Sequence, residues 1–154
     1  MLVRWLLAAL HLLAYGFALA SILRRTWALR RASVPAALRS VFRADTRWGL
    51  SALVLIITGL MRVFGGYEKG AGYYLHEPLF HVKMTLLVLI LIFEVPSMLA
   101  LMRWRASIRK GTPPNLKKAR SYARYSVIQT VLLVLMVFAA TGMARGIGLP
   151  VGAV

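Results

Sequence analysis

Residues 79–96 read Leu79-Phe80-His81-Val82-Lys83-Met84-Thr85-Leu86-Leu87-Val88-Leu89-Ile90-Leu91-Ile92-Phe93-Glu94-Val95-Pro96. The apolar side chains run on without a polar face, as in a helix immersed in hydrocarbon, which needs about 20 such residues to span it. Yet the stretch carries a histidine, a lysine and a glutamate. A Lys or Asp at the centre of a span costs roughly 2.5–3.5 kcal/mol on insertion scales, so ionisable residues there call for a partner or a task.

The rest of the chain agrees with a membrane reading. Of its 154 residues, 60% are hydrophobic, and the mean hydropathy is +0.71. A soluble domain of this size could not enclose that much apolar surface. We read four spans, at about 5–23, 48–64, 79–102 and 125–145, in a single domain: an all-α, integral membrane four-helix bundle. The second is the shortest and needs snorkelling arginines or a locally thinned bilayer. There is no cysteine, which excludes disulfides, thiolate metal sites and a cysteine nucleophile.

The formal charge of +16 would suggest nucleic acid in a soluble protein. Here the charge is sorted by the spans. Arg24, Arg25, Arg30, Arg31, Arg39, Arg43 and Arg47 fall between the first two, with Asp45 as the only acid. Arg103, Arg105, Arg109, Lys110, Lys117, Lys118, Arg120 and Arg124 fall between the last two, with no acid. The middle connection offers only Lys69, with Glu68 and Glu77. The positive-inside rule puts both basic connections in the cytoplasm and both termini in the periplasm of a bacterial inner membrane. Anionic lipids are then the expected partners of the basic connections, and nucleic acid is not. Ala18-Leu19-Ala20 resembles a signal-peptidase site, but basic residues follow the segment rather than precede it, the wrong order for a signal peptide. The first span is expected to stay.

The two halves share landmarks. Thr58-Gly59-Leu60-Met61-Arg62 ends the second span, and Thr141-Gly142-Met143-Ala144-Arg145 ends the fourth. His11 and His81 stand near the outer ends of the first and third. Two pseudo-repeated hairpins follow, related by an axis along the membrane normal, with the first and third helices on one diagonal. The first hairpin reaches the level of the second only if its helices run on past Arg24 and Arg47.

The outer half then collects His11, His81, Lys83, Arg62 and Arg145, with Met61, Met84 and Met143 nearby. Two imidazoles on facing helices suit a haem iron, and two arginines suit its propionates. Cofactor-binding positions are therefore expected at His11, His81, Arg62 and Arg145, with His11 and His81 on the metal of a haem b. Zinc would lack two ligands. Lys83 and Glu94 share a helix face about 16 Å apart, with His81 turned nearly the opposite way. They are the candidate catalytic, proton-moving residues, although Glu94 also suits pairing with an arginine of a basic connection. Pro96 frees a carbonyl and invites a kink. Pro78 suits the first turn of its helix, and the glycine- and tyrosine-rich stretch 65–78 suits a lid over the site.

The segments Ala9-Leu10-His11-Leu12-Leu13, Phe42-Arg43-Ala44-Asp45, Trp48-Gly49-Leu50, Tyr67-Glu68-Lys69-Gly70 and Pro78-Leu79-Phe80-His81-Val82-Lys83-Met84 resemble a bacterial family of small predicted membrane proteins of unknown function. More distantly, His11 and the His81-Val82-Lys83 triplet resemble the HemJ-type protoporphyrinogen IX oxidases and the CopD copper-resistance membrane domain. The resemblance to the HemJ type implies four helices, a b-type haem, and importance for His11, His81 and Lys83; this chain lacks that family's proline-arginine ending after the first helix. The expectation is an inner-membrane b-type haem protein serving redox or porphyrin chemistry. The alternatives are a porphyrinogen-oxidising enzyme, a carrier of a small solute or metal ion, and a structural subunit. A porphyrin or quinone and a second copy of the chain are the possible partners.

Overall fold

In a computed structural model, the described residues are 1–32, 37–65 and 71–147, with the side chains of Ala71 and Tyr73 also left aside. They form α1 (Leu2–Arg30), α2 (Leu38–Phe64), α3 (Ala71–His76), α4 (Pro78–Arg109) and α5 (Ala119–Ala144). The four long helices are each long and apolar enough to cross a membrane. Close packing runs from α2 to α1, from α1 to α5 and from α5 to α4. α1 and α4 therefore occupy one diagonal of the bundle, and α2 and α5 the other.

The helices overrun the expected spans at the arginine-rich end. A 29-residue α1 is about 43 Å long at about 1.5 Å per residue, well beyond a hydrocarbon core of about 30 Å. The largest departure is α2, expected to enter at about residue 48 but helical from Leu38. Its first turns are amphipathic. Leu38, Val41, Ala44 and Trp48 are buried, while Arg39, Arg43 and Arg47 are exposed, which is the period of a helix with one face on a core. A hydropathy window averages these arginines into the connection and hides the helix.

That overhang builds a core of its own. Leu29, Leu38, Val41, Leu101, Trp104, Ala119 and Ala123 pack together at the arginine-rich end. Midway along the bundle, Ala18, Ile22, Trp48, Ile90 and Leu133 form a second cluster. On α1 the buried positions Ala14, Ala18, Ser21, Ile22, Arg25 and Leu29 recur at helical spacing, and their small members let neighbouring helices come close. The remaining large apolar side chains, such as Leu12, Leu13, Phe17, Leu53, Ile92 and Phe138, are exposed. On membrane-spanning helices these face lipid. Pro78 stands in the first turn of α4 as expected, and α4 continues through Pro96.

Candidate functional site

Two polar centres lie inside the bundle, one toward each end. The first is built on Arg25, which the sequence places in a basic connection but which the structure buries completely. Its Nη1 and Nη2 donate to Glu94 Oε1 and Oε2, both at 2.8 Å. Nη1 also donates to Asp45 Oδ1 at 3.0 Å, Nη2 to Gln129 Oε1 at 2.8 Å, and Nε to Ser126 Oγ at 3.2 Å. A guanidinium has five N–H donors, and each has an acceptor here. Glu94 Oε2 additionally accepts from Trp48 Nε1 at 3.0 Å and Gln129 Nε2 at 2.8 Å. Asp45 Oδ2 receives Arg105 Nη2 at 3.0 Å.

This centre joins all four long helices and is charge-balanced, with two arginines against two carboxylates. A fork-to-carboxylate pair is the strong, geometrically specific form of ion pair. It also ties α2 to α4 through Asp45 with Arg105 and through Trp48 with Glu94. Glu94 is thus committed to four donors beside an arginine, the structural alternative for this residue, and lies at the opposite centre from Lys83. Gln129 and Ser126 escaped sequence reading because a lone amide and a hydroxyl barely alter hydropathy. The available signal was their shared face on α5, and the place of Arg25, unlike Arg24, on the small-residue face of α1.

The second centre is a cavity of about 320 Å³ at the other end, lined by His11 of α1, Gly59, Arg62 and Val63 of α2, Tyr74 of α3, Phe80 and Lys83 of α4, and Ala140, Met143 and Ala144 of α5. His11 Nδ1 lies 2.7 Å from Thr58 Oγ1. Thr58 Oγ1 in turn lies 2.6 Å from the Val54 carbonyl. A carbonyl only accepts, so the single hydroxyl proton goes to Val54, and His11 must donate from Nδ1. α2 passes close to the ring at Gly59, where a Cβ would sit 3.6 Å from His11 Cε1.

Of the expected site residues, the cavity gathers His11, Arg62 and Lys83. His81 and Arg145 are exposed and are not part of its lining. His81 Nε2 donates to the Leu75 carbonyl at 2.9 Å, closing the turn from α3 into α4. The cause is angular: two steps along a helix turn the side chain by about 200°, so the triplet that aims Lys83 inward aims His81 outward. His11 and His81 therefore do not share a cavity in which one iron could be held between them. The matched landmarks of the two hairpins have also diverged in chemistry. Thr58 serves His11, whereas Thr141 bonds back to the Val137 and Phe138 carbonyls of its own helix. Among the described residues, no group of three His, Cys, Asp or Glu side chains converges as a metal site. Of the proposed lid, α3 contributes Tyr74, and residues 66–70 lie outside the described part.

Among the described residues, no acid lines the cavity. Asp45 and Glu94 are bound to Arg25, Glu68 is outside the described residues, and the carboxylate of Glu77 is buried with no hydrogen-bond partner. At the arginine-rich end, Phe42, Arg43, Thr46, Arg47 and Arg105 line an open surface depression.

Four apolar helices around a charge-balanced polar core define a multi-pass α-helical membrane protein. Residues 3–148 match the family described as Predicted membrane protein (DUF2214), and the chain belongs to that family. Comparisons with curated proteins and with solved structures find no match.

Proposed function

We propose that this protein binds a small anionic molecule with an apolar body in the cavity lined by His11, Arg62 and Lys83. The observation that carries the reading is the Lys83 ammonium, which has no ion pair among the described residues, on a cavity whose described wall contains no acid. An ammonium in a weakly polar environment is unfavourable without a counter-charge. An anionic group on the ligand supplies it. The remaining wall, Val63, Tyr74, Phe80, Ala140 and Met143, suits an aromatic or aliphatic body. This is the usual composition of a small-molecule site, mostly apolar with a few placed polar groups. Porphyrins, whose carboxylates hang from an apolar ring, belong to the same chemical class as larger members.

The distribution of basic residues supports an orientation in a bacterial inner membrane with the arginine-rich end in the cytoplasm. There the open depression at Arg43, Arg47 and Arg105 meets anionic headgroups. The cavity then faces the periplasmic side, within reach of solutes or of lipids in the outer leaflet.

Isothermal titration of the purified full chain in neutral detergent with benzoate, and with uncharged benzyl alcohol, tests the reading. Benzoate is expected to bind and benzyl alcohol not to. Lys83→Gln is expected to weaken benzoate by about tenfold, the effect of one charge-assisted hydrogen bond. Equal binding of the two probes, or benzoate binding indifferent to Lys83→Gln, refutes it. A Soret band in the preparation would instead support a haem carried on His11, with Met143 of the same cavity wall as the candidate second ligand.

A further inference from the structure

We infer that the ligand of this cavity carries a hydrogen-bond donor beside its anionic group, and that Thr58 selects for that donor by fixing the tautomer of His11. The inference rests on the anion-binding reading and narrows it to a class: hydroxylated aromatic or aliphatic carboxylates rather than plain ones.

The chain of protons starts at a main-chain carbonyl. Val54 O takes the Thr58 hydroxyl hydrogen at 2.6 Å, with Leu55 O at 3.3 Å on the same side. Thr58 is buried, so its hydroxyl does not exchange partners with water. Thr58 Oγ1 is left only as an acceptor, and His11 Nδ1 must carry the ring hydrogen to meet it at 2.7 Å. In neutral imidazole a hydrogen on Nδ1 leaves Nε2 with a bare lone pair. Nε2 has no hydrogen-bond partner among the described residues, and His11 is part of the cavity wall. A Cβ at Gly59 of α2 would meet the ring's Cε1 at 3.6 Å, an ordinary contact, which places that edge of the ring against α2. The Nδ1–Cε1 edge is therefore turned to α2, and the Nε2 edge away from it.

The polar wall is consequently mixed. Lys83 brings donors with positive charge, and His11 brings an acceptor. A plain carboxylate satisfies Lys83 and leaves the His11 lone pair facing a group that can only repel it. A hydroxyl or amine hydrogen on the same ligand satisfies both. Discrimination of this kind is steep, because a buried group left unpaired costs more than a made bond returns. Thr58 does not line the cavity and is a positioning residue: it acts on the ligand only through the imidazole.

The test compares benzoate with 2-, 3- and 4-hydroxybenzoate and with the methyl ether of whichever isomer binds best, by titration into the full chain. One hydroxybenzoate is expected to bind at least about tenfold tighter than benzoate, and its methyl ether no tighter than benzoate. Thr58→Val, which removes the acceptor that holds the Nδ1 hydrogen, is expected to abolish the preference for the hydroxylated probe, and Thr58→Ser to retain it. ¹⁵N spectra of histidine-labelled protein are expected to show His11 Nε2 unprotonated in the wild type, a signature that general loss of packing does not imitate. Binding of benzoate without any preference for a hydroxylated isomer, or a protonated Nε2, overturns this inference and leaves the anion-binding reading standing. Failure of every probe, benzoate included, removes both.

Discussion

Replacing Arg25 by methionine keeps the length and apolar stem of the side chain and deletes all five donors. Glu94 then retains Trp48 and Gln129, and Asp45 retains Arg105, but one carboxylate has lost its counter-charge inside the bundle. The Glu94 and Asp45 side chains are only 19% and 16% exposed, so solvent screens the loss weakly. Breaking one side of a buried pair costs about 3–5 kcal/mol. Glu94→Gln is gentler. It keeps the shape and turns one acceptor into an NH₂ that must face either Arg25 Nη1 or the three donors now on Oε2. About 2–3 kcal/mol is expected, the scale of a hydrogen bond to a charged group. In the double variant neither charge is left facing the other's absence, so the combined cost should fall short of the sum by about 1–3 kcal/mol. Titration of the detergent-solubilised protein with a denaturing detergent, followed by far-UV circular dichroism, gives all four corners of the cycle. Two single variants within about 0.5 kcal/mol of the parent, or strictly additive effects, would refute a stabilising role for the Arg25 centre.

Gly59→Leu should fill part of the cavity and lower benzoate affinity in a titration while leaving the unfolding midpoint nearly unchanged. Gly142→Ala should be close to neutral in the same unfolding assay: the new Cβ meets Leu79 Cδ1 at 2.9 Å, a movable chain end, and the helix gains about 1 kcal/mol over glycine. Glu77→Gln should not destabilise, and is expected to stabilise by about 1 kcal/mol, because it removes a buried carboxylate that has no partner. A periplasm-active reporter fused to the C-terminus should be active, whereas a cytoplasmic signal there would reverse the assigned orientation.

The fold was legible in the sequence because lipid imposes its own demand: uninterrupted apolar runs and sorted arginines leave few architectures open. What hydropathy could not show was where charge is tolerated. Arg25 looks like any other arginine after a span, and only its place on the face of Ala18, Ser21 and Ile22 separates it from Arg24. The start of α2 was lost for the same reason, since the arginines on its outer face dilute Leu38, Val41 and Trp48. At the cavity, His11, Arg62 and Lys83 were found as polar intruders near the ends of spans. His81, as much a polar intruder as Lys83, and Arg145 were matched to His11 and Arg62 through the likeness of the hairpins, and symmetry of spacing did not carry symmetry of direction. Thr58 went unassigned because its role depends on a neighbouring helix, and a threonine in a span says nothing by itself about which partner it has found.

The four-helix origin of the Arg25 centre has a temporal side. Synthesis delivers α1 and α2 before α4 and α5, so Arg25 emerges when, of the acids that will eventually hold it, only Asp45 in the first hairpin can reach it early. Glu94, Ser126 and Gln129 come with the second hairpin. Until then four of the five donor bonds must be met by water, headgroups or the insertion machinery. The arrival of the second hairpin is therefore also the event that completes the Arg25 centre. A ribosome stalled before Glu94 would hold a hairpin whose arginine still lacks four of its five protein acceptors.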